Sequence, residues 1–167
     1  MSDRASAPVA ASAPPSRAVA ALLDRSEISG LLDRYLLDFD GLSSSEPRQD
    51  TWYGTLFTPD LDLEFPVSGH QGLAGLAEFQ RAAKAHWART HHTSTNHVVD
   101  LDGDTAELAA GLLVTHVHPP ESGRADLRTG SRITARAVRT PDGWRLRALA
   151  IRLVWSRGDL PPRPGRP

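Results

Sequence analysis

Apolar positions recur with two different periods along this chain, and the change of period divides it. From Ala18 to Asp40 the spacing is helical: Ile28, Leu31, Leu32, Tyr35 and Phe39 fall at i, i+3, i+4, i+7 and i+11, on one face. Asp24 and Glu27 sit early, where they suit the helix dipole, and Gly41 suits its end. A Ser/Pro-rich link (43–47) leads to a short second helix, roughly 48–57, with Trp52, Leu56 and Phe57 as its apolar residues. "TPD" then turns the chain into a short strand, Leu61 to Phe65. A third helix follows the glycines, with Leu73, Leu76, Phe79, Ala83 and Trp87 near a 3.6 period. After Trp87 the period becomes two. Four long strands are predicted at about 90–101, 105–118, 127–140 and 143–156, separated by the turn sequences "DGD", "PPESG" and "PDG". Helices first and an antiparallel meander afterwards indicate an α+β domain, its three helices covering one face of the sheet. Strong curvature of such a sheet makes a cone-shaped barrel with a cavity.

Composition then narrows the function classes. The 167 residues suffice for one domain with a real core. Residues 1–17 are Ala, Pro and Ser with little to bury, and 158–167 are Pro/Gly-rich; both read as loose tails around a domain spanning 18–157. Nineteen basic against twenty acidic side chains leave a net charge of −1, which offers no electrostatic basis for binding nucleic acid or an anionic membrane. The absence of cysteine excludes thiol catalysis, disulfides and cysteine zinc sites. No apolar run approaches the ~20 residues of a bilayer span. The N-terminus lacks the continuous apolar stretch of a secretory signal, so a cytoplasmic location is expected.

Candidate chemistry concentrates in "RTHHTSTNH", residues 89–97. Strand alternation puts His92, Ser94 and Asn96 on one face and His91, Thr93, Thr95 and His97 on the other. On the next strand Leu108, Ala110, Leu112, Val114 and His116 share a face, so an apolar wall ends in a histidine. In strand 127–140, Arg128, Arg132, Thr134 and Arg136 share the outer face, while Ser131, Ile133, Ala135 and Ala137 lie inside, small enough to leave room for a pocket. Arg152 stands amid apolar residues, either as a cavity charge for an anionic substrate or as an edge residue that snorkels. "HVH" (116–118) with Glu121 admits a metal reading, although Pro119-Pro120 interrupts the strand between them.

Four segments, "RYLLDFD" (34–40), "LFTPDLDLEF" (56–65), "ARTHHTSTNHVVDLDGDTAEL" (88–108) and "RTPDGWRL" (139–146), resemble the SnoaL-like branch of the nuclear transport factor 2-like superfamily. That branch includes polyketide cyclases and the scytalone and bile-acid dehydratases, and the resemblance covers about residues 22–157. It implies the cone-shaped fold and an acid/base centre. The Tyr-x4-Asp of the first helix is Tyr35 and Asp40, and the His after "R-T-x" is His92. A further histidine on the following strand corresponds to His116. Phe39 stands where some members carry a tyrosine before the aspartate, and "GLSSSEPRQ" lengthens the link after Asp40. The resemblance turns His92, Ser94 and Asn96 inward. Asn96, Ser94, Trp52, Phe65 and Arg152 are the candidate substrate-contacting residues.

The expected chemistry needs no cofactor and no metal. Asp40 lies at the C-terminus of its helix, and both the dipole and an apolar cavity raise its pKa, opposed by a hydrogen bond from His92. An Asp–His pair so placed removes a proton beside a carbonyl and returns one to a leaving hydroxyl, with the Tyr35 hydroxyl on the enolate oxygen. The expected function is thus a lyase or isomerase (dehydratase, cyclase or isomerase) acting on a small, largely apolar carbonyl metabolite of secondary metabolism. The partner is a small-molecule substrate, with homo-oligomerisation as a dimer or trimer. The alternatives are a non-catalytic ligand-binding or dimeric accessory protein on the same fold, and a His-ligated metal enzyme.

Overall fold

The structure is a computed structural model that describes residues 16–42 and 48–160. The tail residues 1–15 and 161–167 and the link 43–47 lie outside the described residues. The chain begins with α1 (Arg17–Gly41), capped by the Ser16 hydroxyl accepting from the Val19 amide. It continues through α2 (Asp50–Tyr53), β1 (Phe57–Glu64), β2 (Gly69–Gln71) and α3 (Leu76–Lys84). Four long strands follow: β3 (Arg89–Asp102), β4 (Thr105–Val117), β5 (Leu127–Thr140) and β6 (Gly143–Arg157). They form one six-stranded sheet in the order β2-β1-β6-β5-β4-β3, antiparallel except where β1 runs parallel to β6. The class is α+β, with three helices and a mixed sheet.

Alternation of apolar side chains explains why β3 to β6 match the sequence reading within a residue or two. The inward positions Val99, Leu108, Leu112, Ile133, Ala135, Ala137, Leu146 and Leu149 are all buried and pack on Ile28, Leu31, Leu32, Tyr35 and Leu36 of α1. Ala135 and Ala137, expected to leave room for a pocket, belong to this packed core. Trp144 is fully buried, donates from Nε1 to Asp24 (2.9 Å) and from its amide to Glu27 (3.0 Å), and so fastens α1 to β6.

Three short elements differ from the sequence reading. The second helix is only four residues long, because the backbone of Leu56 is recruited as an acceptor by Leu146 of β6 and Phe57 already opens β1. Pro59 lies where the β1–β6 register breaks, between Phe57 and Asp62; having no N–H, it is compatible with that gap. The β2 edge strand, three residues long, carries no periodic signal. The third helix starts at Leu76 after Gly75 in the left-handed region (φ 79°) and stops before Trp87. At the other end, residues 158–160, assigned to a tail from composition, are tied down: the Ala125 amide donates to Asp159 and Arg124 to the Leu160 carbonyl.

Candidate active site

Asp40 is the penultimate residue of α1 and faces the first residues of β3. Its Oδ1 lies 2.6 Å from His92 Nδ1, and its Oδ2 accepts the His92 backbone amide at 2.7 Å. One residue thus holds both oxygens of the carboxylate, through side chain and main chain together. The Thr90 hydroxyl donates to Oδ1 at 2.8 Å, and Lys84 Nζ, from the end of α3, donates to the Thr90 hydroxyl (2.7 Å) and to the Asp40 carbonyl (3.0 Å). The Asp40 and His92 side chains keep 14% and 10% of their surface exposed, so the pair is recessed but not sealed. Phe39 packs edge-on to the His92 ring at 5.4 Å.

This network overturns the expected shift of Asp40. Burial does push its carboxyl upward, but hydrogen bonds from the His92 ring and amide, the His92 charge and the Thr90 hydroxyl outweigh it and lower the pKa to about 2. Asp40 is therefore ionised at neutral pH and can only accept. The hydrogen of the short contact must sit on His92 Nδ1, which leaves Nε2 as the basic nitrogen, with no hydrogen bond among the described residues.

His116 completes the cluster. Its ring is 5.9 Å from that of His92 and 4.4 Å from Trp87, and its Nδ1 is buried with no hydrogen-bond partner among the described residues. Burial, with the His92 charge beside it, lowers its pKa to about 4, so it is neutral at pH 7. Tyr35 is buried on α1, edge-on to Phe57 at 5.2 Å, and its oxygen accepts from Gln80 Nε2 at 2.7 Å. Burial raises its pKa, keeping the phenol protonated.

The remaining candidates are placed elsewhere. Asn96 is exposed with φ 55°, at a bulge between Thr95 and Val98. The extra residue reverses the alternation, so His97 takes the place expected for Asn96 and lies 3.6 Å from Asp33 of α1. Ser94 does face α1 but donates to Asp33 (2.9 Å), not to the dyad. Trp52 is half-buried beside Tyr53, with the Arg48 guanidinium 5.1 Å from its ring centre. Phe65 stacks on Phe79 at 6.0 Å. Arg152 is no cavity charge: it lies on the outer face and makes a two-pronged ion pair with Glu64 of β1 at 2.5 and 2.7 Å. His118 Nε2 is paired with the Asp159 carbonyl at 2.8 Å, and among the described residues no three His, Asp or Glu side chains gather as a metal set. A cleft of about 440 Å³ lies between α2 and α3, lined by Arg48, Asp50, Ala77 and Arg81 among others. None of Tyr35, Asp40, His92 or His116 borders it, so the acid/base cluster lies apart from that cleft. Lys84, Thr90 and Gln80 escaped the sequence reading; Thr90 lay within the polar run, but nothing local pairs it with a lysine of α3. Among the described residues no helix is long and apolar enough to cross a membrane.

No curated protein matches the chain. Among solved structures it is similar to the Kfla4162 protein of Kribbella flavida (28% identity, TM-score 0.72, covering 82% of this chain and 95% of that one). It also superposes on a scytalone-dehydratase-like protein of Novosphingobium aromaticivorans (15% identity, TM-score 0.70, 84% and 90% covered) and on LinA (14%, 0.71, 89% and 95%). These last two likenesses are of fold alone. The model of the SnoaL-like domain matches residues 20–150, most of the chain. With the helix-covered sheet and the order of its elements, that match makes this chain a member of the SnoaL-like family.

Proposed function

We propose that this protein is a cofactor-independent acid/base enzyme, a lyase or isomerase acting on a small, largely apolar carbonyl compound of secondary metabolism. The observation that carries the reading is the 2.6 Å contact between Asp40 Oδ1 and His92 Nδ1, with the same carboxylate anchored on the His92 amide. His92 Nε2 takes a proton from the carbon beside the carbonyl, and the C–H electron pair moves onto the carbonyl oxygen as an enolate. The ionised Asp40 stabilises the imidazolium that results. In a dehydration the enolate then expels a hydroxyl, which leaves as water with the proton from His92. In an isomerisation the proton returns to a different carbon of the substrate. The neutral His116, 5.9 Å from His92 between ring centres, and the protonated Tyr35 are the candidate donors to the enolate oxygen. The dehydratase-like structural neighbour supports this class of chemistry, and cytoplasmic action as a homo-oligomer is part of the reading.

The test is exchange of a substrate C–H proton for deuterium in heavy water, followed by NMR over a panel of cyclic and aromatic β-hydroxy ketones. Asp40→Asn and His92→Gln are each expected to lower the rate by about 10²–10⁴. The double variant should be little slower than either single one, because the two groups act as a unit. Tyr35→Phe should cost less. Well-folded single variants that retain near-normal exchange would reject the assignment. A second reading, a non-catalytic binding protein, draws on the packed inner face at Ala135 and Ala137. It requires ligand binding without any exchange.

A further inference from the structure

Helix α1 ends in an electrostatically poor way. Its last turn holds Asp38 and Asp40 and no basic residue, so two carboxylates meet the negative end of the helix dipole. The compensation comes from outside the helix. Arg48, beyond the turn, pairs with Asp38. Lys84, from α3, reaches the Asp40 main-chain carbonyl at 3.0 Å and the Thr90 hydroxyl at 2.7 Å, and Thr90 in turn reaches the Asp40 carboxylate at 2.8 Å.

The directions in this chain are forced by chemistry. An ammonium only donates, so the Thr90 oxygen accepts from Lys84 and its single hydrogen is committed to Asp40 Oδ1. Asp40 accepts from Thr90, from the His92 ring and from the His92 amide. The ionised carboxylate carries no hydrogen of its own and accepts all three. The contact with Asp40 thereby keeps a hydrogen on Nδ1 of the His92 ring, so that whenever the ring is neutral its lone pair is on Nε2.

We infer that Lys84 and Thr90 are positioning residues which, acting through Asp40, lock the Nδ1–H tautomer and the ring orientation of His92. The inference rests on the proposed acid/base function for its purpose, although the lock itself can be observed without substrate. Neither residue is placed to touch the reacting atoms; both act by fixing the carboxylate that fixes the base. Lys84 also ties the end of α3 to the end of α1, and its ammonium lies 5.5 Å from the centre of the Phe39 ring, which itself packs on His92. Removing the amine therefore loosens two neighbours of the imidazole at once.

The experiment compares Lys84→Met, Thr90→Val and Thr90→Ser in the full chain, with thermal melting as the folding control. The tautomer is read from the nitrogen and proton shifts of the ¹⁵N-labelled His92 ring, assigned with His92→Gln. In the first two variants the Nδ1–H population should fall and kcat for proton exchange should drop by up to about 100-fold, with KM little changed, as expected for a misplaced catalytic group. Thr90→Ser keeps the hydroxyl and should restore both readouts. An unchanged His92 tautomer in folded Lys84→Met and Thr90→Val overturns the inference, whatever the activity. A change in Thr90→Val that Lys84→Met does not reproduce overturns the part assigned to Lys84. Should Lys84→Met fail to fold, Lys84→Gln, which retains a donor of reduced reach and no charge, is read in the same way. A wild-type chain with the locked tautomer but no exchange on any substrate would count against the proposed function and leave the lock standing.

Discussion

Two histidines separated by 5.9 Å between ring centres are tuned by different surroundings. His92 is bound to an ionised carboxylate, whereas His116 Nδ1 is buried with no partner among the described residues and the ring is held neutral, with a pKa lowered to about 4. The sign of the resulting pH dependence follows from linkage. His116 binds its proton more weakly in the folded chain than in the unfolded one, so it adds full stability above its ordinary pKa and loses it as pH falls toward 4. Replacing it by glutamine should flatten the fall in stability between about pH 6.5 and 4, by no more than about 1.4 kcal/mol per pH unit. Urea midpoints of the two proteins across that window are the measurement, and parallel curves would show that the ring titrates normally. Asp40 works in a lower window. Its depressed pKa of about 2 contributes stability above about pH 4 that is lost only as pH falls toward 2.

At the scale of the element, β3 depends on its bulge. A strand of strict alternation would turn Asn96 toward α1 and His97 toward solvent. The insertion between Thr95 and Val98 exchanges them, and it also sets Val99 and Leu101 in phase with the core. Asn96 tolerates this because its short amide side chain is among those that accept the left-handed region. Asn96→Ile should therefore destabilise the protein by about 1–2 kcal/mol, and Asn96→Gly should be neutral or slightly stabilising. Chemical denaturation measures both. Equal stability of the isoleucine variant would mean that the bulge can move along the strand.

For the whole molecule, the outer face of the sheet is the surface left over once α1 has covered the other. Leu113, Gly130 and Trp155 lie in one cross-strand row of β4, β5 and β6, and the indole leaves no room for a Cβ on Gly130. Leu113 and Trp155 are about half exposed, with the pairs Arg128–Arg157 and Arg132–Arg152 on either side. An exposed apolar row rimmed by charge is the kind of surface that associates, and it is where the proposed homo-oligomer is expected to form. Light scattering should give a multiple of the 18.1 kDa chain mass, and Trp155→Glu should return the protein to monomer with Asp40–His92 chemistry altered only if assembly shapes the site. A monomeric wild type would show that this surface does not mediate self-association.

Period alone determined the long elements of this protein. Residues two or three to four apart in sequence are neighbours on a strand or helix, so the burial of Ile28, Leu31, Leu32 and Tyr35 and the extents of β3 to β6 were legible in one dimension. Asp40, His92 and His116 could be named through a family resemblance, and the fold brings those three together. Tertiary structure alone decided the rest. The parallel pairing of β1 with β6 joins residues 86 to 89 positions apart in sequence, a separation set by topology and not by a local pattern. Which face Asn96 and His97 occupy turned on one backbone dihedral at a bulge. Whether Asp40 is raised or lowered in pKa was settled by how many donors converge on it. These come from His92 and Thr90, some fifty residues along the chain, and from Lys84 of α3 behind them. A hydrogen bond needs its partners within about 3 Å, and no periodicity records which distant residues the fold will bring that close.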